Sequence, residues 1–384
     1  MSGLFWHVLA TAVISQPARP AAELRLLTTK MAAAARHYID AGSSDGISVA
    51  IVRCGRTAFA TGGLADRATR HRVTPDVPFE IGSVSKTLTA LLLAQAIAEG
   101  SARSDDDVRR YLPRGYDNLQ WSDGKPLTLG ELADTTSGLP DFLPNPEPIT
   151  ALPADQQMPA ASRLLASYSN RDFLNDLRGI RLVSRPGSTS RHSNVAAQLL
   201  GYIVGRLFSR PFDAALAEEI ERPNGMRSGH ATPFGRVATG YSADGKQAPP
   251  FEGESIRAAG GLRYSGKDMA KFLNLEVNAD SPAVKFSQQV RFVEAPDRQL
   301  AFTWVRSEPR PGIYKFRMSG GTFGASSYLE YYPALGYGIA LMANRAAATT
   351  QDDLQGMAER LFADVGSALA PCPRHARPSA KRIR

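Results

Sequence analysis

One stretch of the chain reads Phe79-Glu80-Ile81-Gly82-Ser83-Val84-Ser85-Lys86-Thr87-Leu88-Thr89-Ala90. It places a serine and a lysine three residues apart at the start of an apolar segment, which predicts a helix over 83–99 that is terminated by Gly100. Positions i and i+3 share one face of a helix, so Ser83 and Lys86 can touch. A buried lysine of lowered pKa can take the proton of a serine hydroxyl, and the N–H groups at a helix start face an oxyanion formed there.

The local pattern leaves a structural alternative open, in which Ser83 caps the helix and Lys86 is solvated. The apolar run after Lys86 argues against a solvated face.

Two other motifs match catalytic patterns in sequence but not in their predicted structural context. Ser122-Asp123-Gly124-Lys125 repeats the spacing inside a loop bounded by glycine and proline. Gly42-Ser43-Ser44-Asp45-Gly46 has the form of a nucleophile elbow, but a helix precedes it and a strand follows, which is the reverse of what an elbow requires.

The composition is that of an ordinary globular protein. With 384 residues, 43% of them hydrophobic, the chain can form one large domain or two closely packed ones. The formal net charge is +8, but five basic residues lie in an acid-free tail after Ala370, and without them the net charge is about +3. No basic stripe with interleaved aromatic residues occurs elsewhere, so we expect no nucleic-acid partner.

The cysteines and the N-terminal residues give information on disulfides, metal sites and cellular location. Cys54 and Cys372 are too few and too far apart in sequence to indicate a disulfide framework, and no Cys/His grouping has metal-ligand spacing, so we expect no metal or cofactor. The apolar run 4–14 has signal-peptide length, although no Lys or Arg precedes it. It predicts a periplasmic or secreted protein; the alternatives are a frayed N-terminal helix and a cytoplasmic location. No other segment approaches the roughly 18 apolar residues of a membrane span.

The order of predicted elements indicates an α/β fold. A helix over 23–40 precedes a hairpin of strands 46–53 and 56–62, joined at Cys54-Gly55. The region 101–230 reads as helical, with a capping box at Thr128-Leu129-Gly130-Glu131. The last third predicts a helix capped at Ser265, strands over 300–307, 312–319, 326–332 and 337–343, and a closing helix over 351–366.

From this order we expect an antiparallel sheet flanked by N- and C-terminal helices, with a mainly helical lobe inserted. The sheet domain would be discontinuous, formed by residues 23–80 and 231–366, and the helical lobe would span 81–230. Residues 1–22 would form the export signal or a disordered segment, and 367–384 a basic disordered tail. We expect a monomer.

Further stretches agree in order and spacing with one known family. They are Asp106-Asp107-Val108-Arg109-Arg110-Tyr111-Leu112-Pro113, Leu132-Ala133-Asp134-Thr135-Thr136-Ser137-Gly138-Leu139-Pro140, Pro186-Gly187-Ser188, Gly225-Met226, Ala259-Gly260-Gly261-Leu262 and Ser319-Gly320-Gly321-Thr322. With the Ser-x-x-Lys tetrad they make residues from about 45 to 365 resemble the class C β-lactamases and penicillin-binding proteins, whose relatives include D,D-peptidases and bacterial carboxylesterases. The resemblance implies a β-lactamase/transpeptidase-like fold and a serine hydrolase that forms an acyl-enzyme with a β-lactam, a D-alanyl peptide or an ester.

The resemblance matches the family's Tyr-x-Asn loop to His192-Ser193-Asn194, so histidine stands in place of tyrosine. In the family the tyrosine relays the proton of the nucleophile or of the leaving group. Imidazole can do the same near neutral pH, which implies a catalytic role for His192 and activity that falls as that base is protonated. Asn194 keeps the amide that would orient Lys86 and the substrate. An ordinary loop histidine is the alternative.

The family's third motif, Lys-Thr-Gly or His-x-Gly on the edge strand of the sheet, matches Met318-Ser319-Gly320. The missing cation argues against tight recognition of acidic β-lactams or of a D-alanine terminus. Lys315 and Arg317 have the wrong strand parity to replace it without a β-bulge or a register shift. Carboxylesterase relatives also lack the cation, so Met318 fits a neutral acyl group. The backbone N–H of Gly321 would complete an oxyanion hole with that of Ser83.

The resulting hypothesis names Ser83, Lys86 and His192 as catalytic residues and Asn194, Met318, Ser319, Gly320 and Gly321 as substrate contacts. The substrate would be a small molecule or a peptide. The competing hypothesis is a catalytically impaired, penicillin-binding-like sensor or scaffold, because two of the three family motifs are altered.

Overall fold

The computed structural model describes residues 18–227, 236–278, 280–366, 369 and 371–372. Its helices are α1 (Ala18–Asp40), α2 (Ser85–Ala98), α3 (Leu129–Ala133), α4 (Glu147–Thr150), α5 (Ala154–Ser167), α6 (Asn170–Leu177), α7 (Asn194–Leu207), α8 (Phe212–Leu216), α9 (Gly266–Val277), α10 (Pro282–Ser287) and α11 (Thr350–Gly366). Short 3-10 turns cover Gly82–Val84, Val108–Tyr111 and Pro333–Leu335, and a π turn over Ala217–Glu221 extends α8.

The strands are β1 (Gly46–Arg53), β2 (Arg56–Asp66), β3 (His71–Arg72), β4 (Pro78–Glu80), β5 (Tyr241–Ser242), β6 (Arg263–Ser265), β7 (Phe292–Ala295), β8 (Arg298–Ala301), β9 (Trp304–Arg310), β10 (Ile313–Gly321), β11 (Ser326–Tyr332), β12 (Tyr337–Ala343) and β13 (Arg345–Ala346). Nine of them form one antiparallel sheet in the order β3-β2-β1-β12-β11-β10-β9-β8-β7. The N-terminal hairpin and the C-terminal strands therefore share a sheet, which confirms the predicted fold class.

The predicted hairpin of β1 and β2 is confirmed. Its two-residue turn, Cys54-Gly55, has φ values of 50° and 76°, and two left-handed residues make the turn whose twist matches that of a hairpin. The predicted strand over 300–307 is instead two strands, β8 and β9, which pair through Ala301 and Trp304. Phe302 adopts φ 48° in the turn between them while its side chain is fully buried. Because aromatic residues are typical of strands, Phe302 did not indicate a turn in the sequence pattern.

Two apolar cores lie on opposite faces of the sheet. One is formed with α1 and α11, through residues such as Met31 and Leu354; the other joins the sheet to the helical lobe and contains α2. Leu88, Leu91 and Leu92 of α2 are at most 3% exposed, and each contributes about 1.5–3 kcal/mol of burial free energy. The expectation that α2 is a buried helix is confirmed, and its burial carries Lys86 into the interior.

The ends of the chain differ from the prediction. Cys54 and Cys372 form a disulfide, with their Cα atoms 5.5 Å apart. Leu369 is buried in the core that the sheet forms with α1 and α11. The sequence did not indicate this single disulfide, because sequence separation does not report distance across a folded sheet. Of the predicted tail 367–384, the structure describes only residues 369 and 371–372. The predicted signal run 4–14 and the basic residues 374–384 lie outside the described residues. Among the helices that are described, none has the length and apolar character to cross a membrane.

Candidate active site

Ser83 sits on a turn that the strand β10 supports. It belongs to the 3-10 turn Gly82–Val84, so the predicted helix begins as 3-10 and becomes α-helical only at Ser85. Gly82 has φ 52°, and a Cβ at this position would lie 2.4 Å from Gly321 N. The turn can therefore lie against β10 only because residue 82 lacks a side chain.

Lys86 is 2% exposed and makes three close contacts. Its Nζ lies 2.8 Å from Ser83 Oγ, 2.7 Å from Asn194 Oδ1 and 2.7 Å from the carbonyl oxygen of Ala259. Burial lowers the pKa of Lys86 to about 7, although the charge of Asp141 opposes that shift. Lys86 is therefore a base that can be neutral near physiological pH.

The contacts of Lys86 fix where its lone pair points. The oxygens of Asn194 and Ala259 can only accept hydrogen bonds, so a neutral amine directs its two hydrogens to them. The third position of the amine, the lone pair, then faces Ser83 Oγ. In the charged state this position carries a hydrogen and Lys86 is a donor to Ser83. The same geometry thus serves a base when Lys86 is neutral and an electrostatic stabiliser when it is protonated.

His192 is the second polar side chain near Ser83 Oγ. Its Nε2 lies 3.4 Å from Ser83 Oγ and its Nδ1 lies 2.9 Å from Asp141 Oδ1. The ring is held by the start of α7, where Ser193 caps the helix by accepting from Ala196 N at 3.0 Å and donates to Pro140 O at 2.7 Å. The histidine is half exposed, so substrate can reach it.

Asp141 is the residue that sequence reasoning missed. Its Oδ1 also accepts from the backbone N–H of Asn194 at 3.1 Å and from Asn194 Nδ2 at 3.3 Å. Burial tends to raise the pKa of Asp141, but the hydrogen bond and charge of His192, with the Asn194 N–H, hold that pKa below its usual value. Asp141 directly follows the quoted stretch that ends at Pro140, yet 51 residues separate it from His192, and no local pattern connects them.

Strand β10 borders the site next to the 82–84 turn. Its pairing with β9 ends at Arg317, whereas its pairing with β11 continues to Gly321. The expectation of an edge strand is therefore wrong for the first half of β10 and right for 318–321, because β9 diverges from that point. This divergence leaves one edge of the last four residues open beside Ser83.

Lys315 and Arg317 lie on the far face of β10, as strand parity predicts. Lys315 Nζ is 3.9 Å from Glu330 Oε2 and 3.4 Å from Glu359 Oε1, and Arg317 donates to Gln355 at 3.5 Å. Both partners Glu359 and Gln355 are on α11. A register shift occurs between Ile313 and Lys315, but it does not bring Lys315 to the site.

Met318 and Gly320 share the opposite parity, toward the helical lobe. Met318 is half-buried against the main core. A Cβ on Gly320 would lie 2.9 Å from Ser83 N, so this face of β10 is the one that borders the nucleophile. Ser319 has the parity of Arg317, and its contact with substrate stays a prediction.

The two decoy motifs have structural explanations. Lys125 bonds Glu131 Oε1 at 2.5 Å and the carbonyl of Pro186, in a turn and not on a helix. Ser44 is buried, where it donates to Gly46 O and bonds Asn344 Oδ1. Among the residues that the structure describes, no three His, Cys, Asp or Glu side chains cluster as a metal site would need.

Several known proteins are similar to this chain in sequence and in fold. A family model described as Beta-lactamase matches residues 31–364. A β-lactamase of Pseudomonas fluorescens is 23% identical over 343 residues, 78% of this chain and 88% of its own length. The D-alanyl-D-alanine-carboxypeptidase/endopeptidase AmpH of Escherichia coli (strain K12) is 24% identical over 369 residues, 90% of this chain and 92% of its own. A crystal structure of a class C β-lactamase from Rhodobacter sphaeroides shares the fold, with a TM-score of 0.73 and 24% identity over 88% of this chain and 99% of that one.

Proposed function

The chain belongs to the β-lactamase family of serine hydrolases, and from that premise we propose that it hydrolyses acyl compounds in two steps through an acyl-enzyme on Ser83. The observation that carries the proposal is the 2.8 Å contact between Lys86 Nζ and Ser83 Oγ, in a site where two carbonyl oxygens occupy the other bonds of the amine. A serine needs such an adjacent base to act as a nucleophile.

In the proposed mechanism Ser83 attacks the substrate carbonyl while Lys86 and His192 handle its proton. The backbone N–H groups of Ser83 and Gly321 would bind the oxyanion, a role supported by the close approach of the 82–83 turn to β10. Asn194 would orient Lys86 and the acyl group through its amide. Water then attacks the acyl carbon and releases the acyl group. Ser83 regains its proton through the same side chains.

Among the possible substrates we propose neutral esters ahead of β-lactams and D-alanyl peptides. The charges at the site favour esters, because Met318 supplies no cation and Lys315 is paired with Glu330 and Glu359 on the far face of the strand. A substrate carboxylate would then lack the charge-assisted hydrogen bond that a lysine at position 318 would give. The thioether of Met318 suits an apolar acyl group.

We also propose that the protein works in the periplasm or outside the cell. Disulfides persist in oxidising compartments, and the Cys54–Cys372 bond ties the first hairpin to the end of the described chain. The apolar run 4–14 has the length of an export signal. Cell fractionation with the Cys54→Ser variant as a reference tests this location: a native protein that stays in the cytoplasm with both thiols reduced would contradict it.

The function is tested with purified protein and its Ser83→Ala variant, each incubated with a p-nitrophenyl ester and with a chromogenic cephalosporin. We expect repeated turnover of the ester by the native protein and none above background by Ser83→Ala. Turnover of neither substrate would contradict the hydrolase. Intact mass after penicillin treatment then separates the competing sensor or scaffold hypothesis, which predicts a stable adduct on Ser83, from a protein that does not react.

A further inference from the structure

Asp141 contacts two residues of the loop that faces Ser83, His192 and Asn194. A single oxygen, Oδ1, lies 2.9 Å from His192 Nδ1, 3.1 Å from Asn194 N and 3.3 Å from Asn194 Nδ2. Asp141 is anchored in turn by its backbone, whose carbonyl accepts from Asn194 N at 3.0 Å. The carboxylate is therefore fixed relative to the His192 ring by the main chain.

This contact decides which nitrogen of His192 carries the proton. An ionised carboxylate has no hydrogen to give, so the hydrogen of the 2.9 Å bond belongs to Nδ1. In the neutral imidazole Nε2 then bears a lone pair. That nitrogen is the one 3.4 Å from Ser83 Oγ, so the ring presents an acceptor to the nucleophile.

We propose that Asp141 is a positioning residue that keeps the proton of His192 on Nδ1 and so aims an accepting Nε2 at Ser83, which gives this chain a serine–histidine–aspartate relay beside its serine–lysine pair. The inference rests on the proposed function of Ser83. It is specific to a chain with histidine at position 192, because a tyrosine there has one oxygen and no second ring nitrogen for Asp141 to hold.

The relay passes protons between Ser83, His192, the leaving group and water. Ser83 Oγ forms its bond to the substrate carbonyl carbon as the Oγ proton passes to His192 Nε2, and the electron pair of the carbonyl moves to the oxyanion. When the oxyanion collapses, the bond to the leaving group breaks and that group takes the proton from Nε2. In deacylation water gives its proton to Nε2 and attacks the acyl carbon, and Ser83 regains a proton on leaving. Asp141 stays ionised throughout.

The relay complements Lys86. When Lys86 is charged, its three hydrogens are directed to Asn194, Ala259 and Ser83, so it cannot accept the serine proton and His192 is the available base. Asp141, from the segment after α3, contacts the His192 ring, and Lys86, from α2, contacts the same Ser83 oxygen as that ring. The chain thus carries two bases for one hydroxyl.

The first test compares Asp141→Asn in two backgrounds with a p-nitrophenyl ester. In the native background we expect kcat to fall about 10²-fold with little change in KM. In the His192→Tyr background the phenol has a single protonatable oxygen and therefore no tautomers to select. The same change should then alter kcat by less than about twofold. Asp123→Asn, which removes a carboxylate paired with Arg185 at a half-exposed site, serves as the matched control. Equal losses in both backgrounds would show that Asp141 acts only through Asn194, which overturns the inference.

The second test needs no substrate. Nitrogen-15 NMR of histidine-labelled protein at about pH 8.5, where histidine side chains are ordinarily neutral, reports the tautomer of each ring, and His192→Gln identifies the resonances of His192. We expect the proton on Nδ1 in the native protein and loss of that preference in Asp141→Asn. A proton on Nε2 in the native protein overturns the inference. Because this result is independent of turnover, it decides the inference even if no offered substrate is hydrolysed and the proposed function fails.

Discussion

Gly320 and Ile81 are in backbone contact across the candidate site. A Cβ carbon on Gly320 would lie 2.1 Å from Ile81 O and 2.9 Å from Ser83 N, closer than side chains are found in folded proteins. Ser327, which pairs with Gly320 on the next strand, donates to the same carbonyl at 2.7 Å. The distance between the nucleophile and β10 therefore depends on the absence of one methyl group.

The first prediction follows from this contact. Gly320→Ala should push β10 away from the 81–83 turn and lower kcat by about 10²–10³-fold, the usual cost of losing one oxyanion donor. Steady-state ester hydrolysis measures the loss, and circular dichroism confirms that the variant is folded. Gly179→Ala is the matched control, since its Cβ would meet its nearest atom at 3.5 Å. Native activity in Gly320→Ala would rule out this arrangement of the oxyanion hole.

The second prediction concerns Lys86. Because burial lowers its pKa to about 7, its neutral form grows as pH rises through that value. In a His192→Gln protein, where Lys86 is the remaining base, the acylation rate should rise about tenfold per pH unit below pH 7 and level off above it. Single-turnover kinetics from about pH 5 to 9 measure the profile. Lys86→Arg should remove this limb, since guanidinium does not deprotonate. A rate that falls with rising pH would contradict Lys86 as the base.

The third prediction concerns substrate choice. Met318→Lys should raise kcat/KM for an anionic cephalosporin by about tenfold, the worth of one charge-assisted hydrogen bond. Lys315→Met, on the same strand, should leave that value unchanged, since Lys315 bonds Glu330 and Glu359 on the far face. If Met318→Lys gains nothing, the missing cation does not set the specificity.

The fourth prediction concerns stability. Glu276 is fully buried, and burial raises its pKa from 4.5 to about 7 against the hydrogen bonds of Tyr331 and Gln288. The folded state therefore keeps a proton that the unfolded state has lost, so stability falls as pH rises from 4.5 to 7. The free energy of unfolding should drop by up to about 3 kcal/mol over that range.

Urea unfolding of the native protein and of Glu276→Gln at several pH values measures this slope. The difference between the two proteins isolates the contribution of Glu276, because all other groups titrate in both. Glu294→Gln, a change at an exposed carboxylate, should keep the native slope. A native slope in Glu276→Gln as well would assign the proton to another group.

The parts of the fold that the sequence predicted are those with local signals. The hairpin turn at Cys54-Gly55, the Thr128 capping box and the apolar run of α2 each depend on neighbouring residues, and each is confirmed. The turn at Phe302 and the disulfide were missed because each depends on distant packing, of an aromatic ring in the core and of the chain end on the first hairpin.

The candidate site divides in the same way. The Ser83–Lys86 pair is three residues apart at the start of a helix, so the spacing together with the apolar run after Lys86 predicts the contact of the two side chains. Asp141 and the Ala259 carbonyl reach the site only through the packing of separate loops, and no periodicity relates them to Ser83. Asp141 was the residue of greatest consequence among those missed, because its carboxylate lies 2.9 Å from His192, the residue that the sequence resemblance matches to the family's tyrosine.

The pairing of β1 with β12, from Ile47 opposite Ala343 to Arg53 opposite Tyr337, constrains the order in which the protein can be made. During synthesis β1 emerges early, whereas β12, which covers one of its edges, follows only after residues 54–336. The centre of the sheet therefore closes only once residues 337–343 have been made, and the Cys54–Cys372 bond can form only after that. Until then one edge of β1 has no partner, so the sheet cannot be completed strand by strand from the N-terminus.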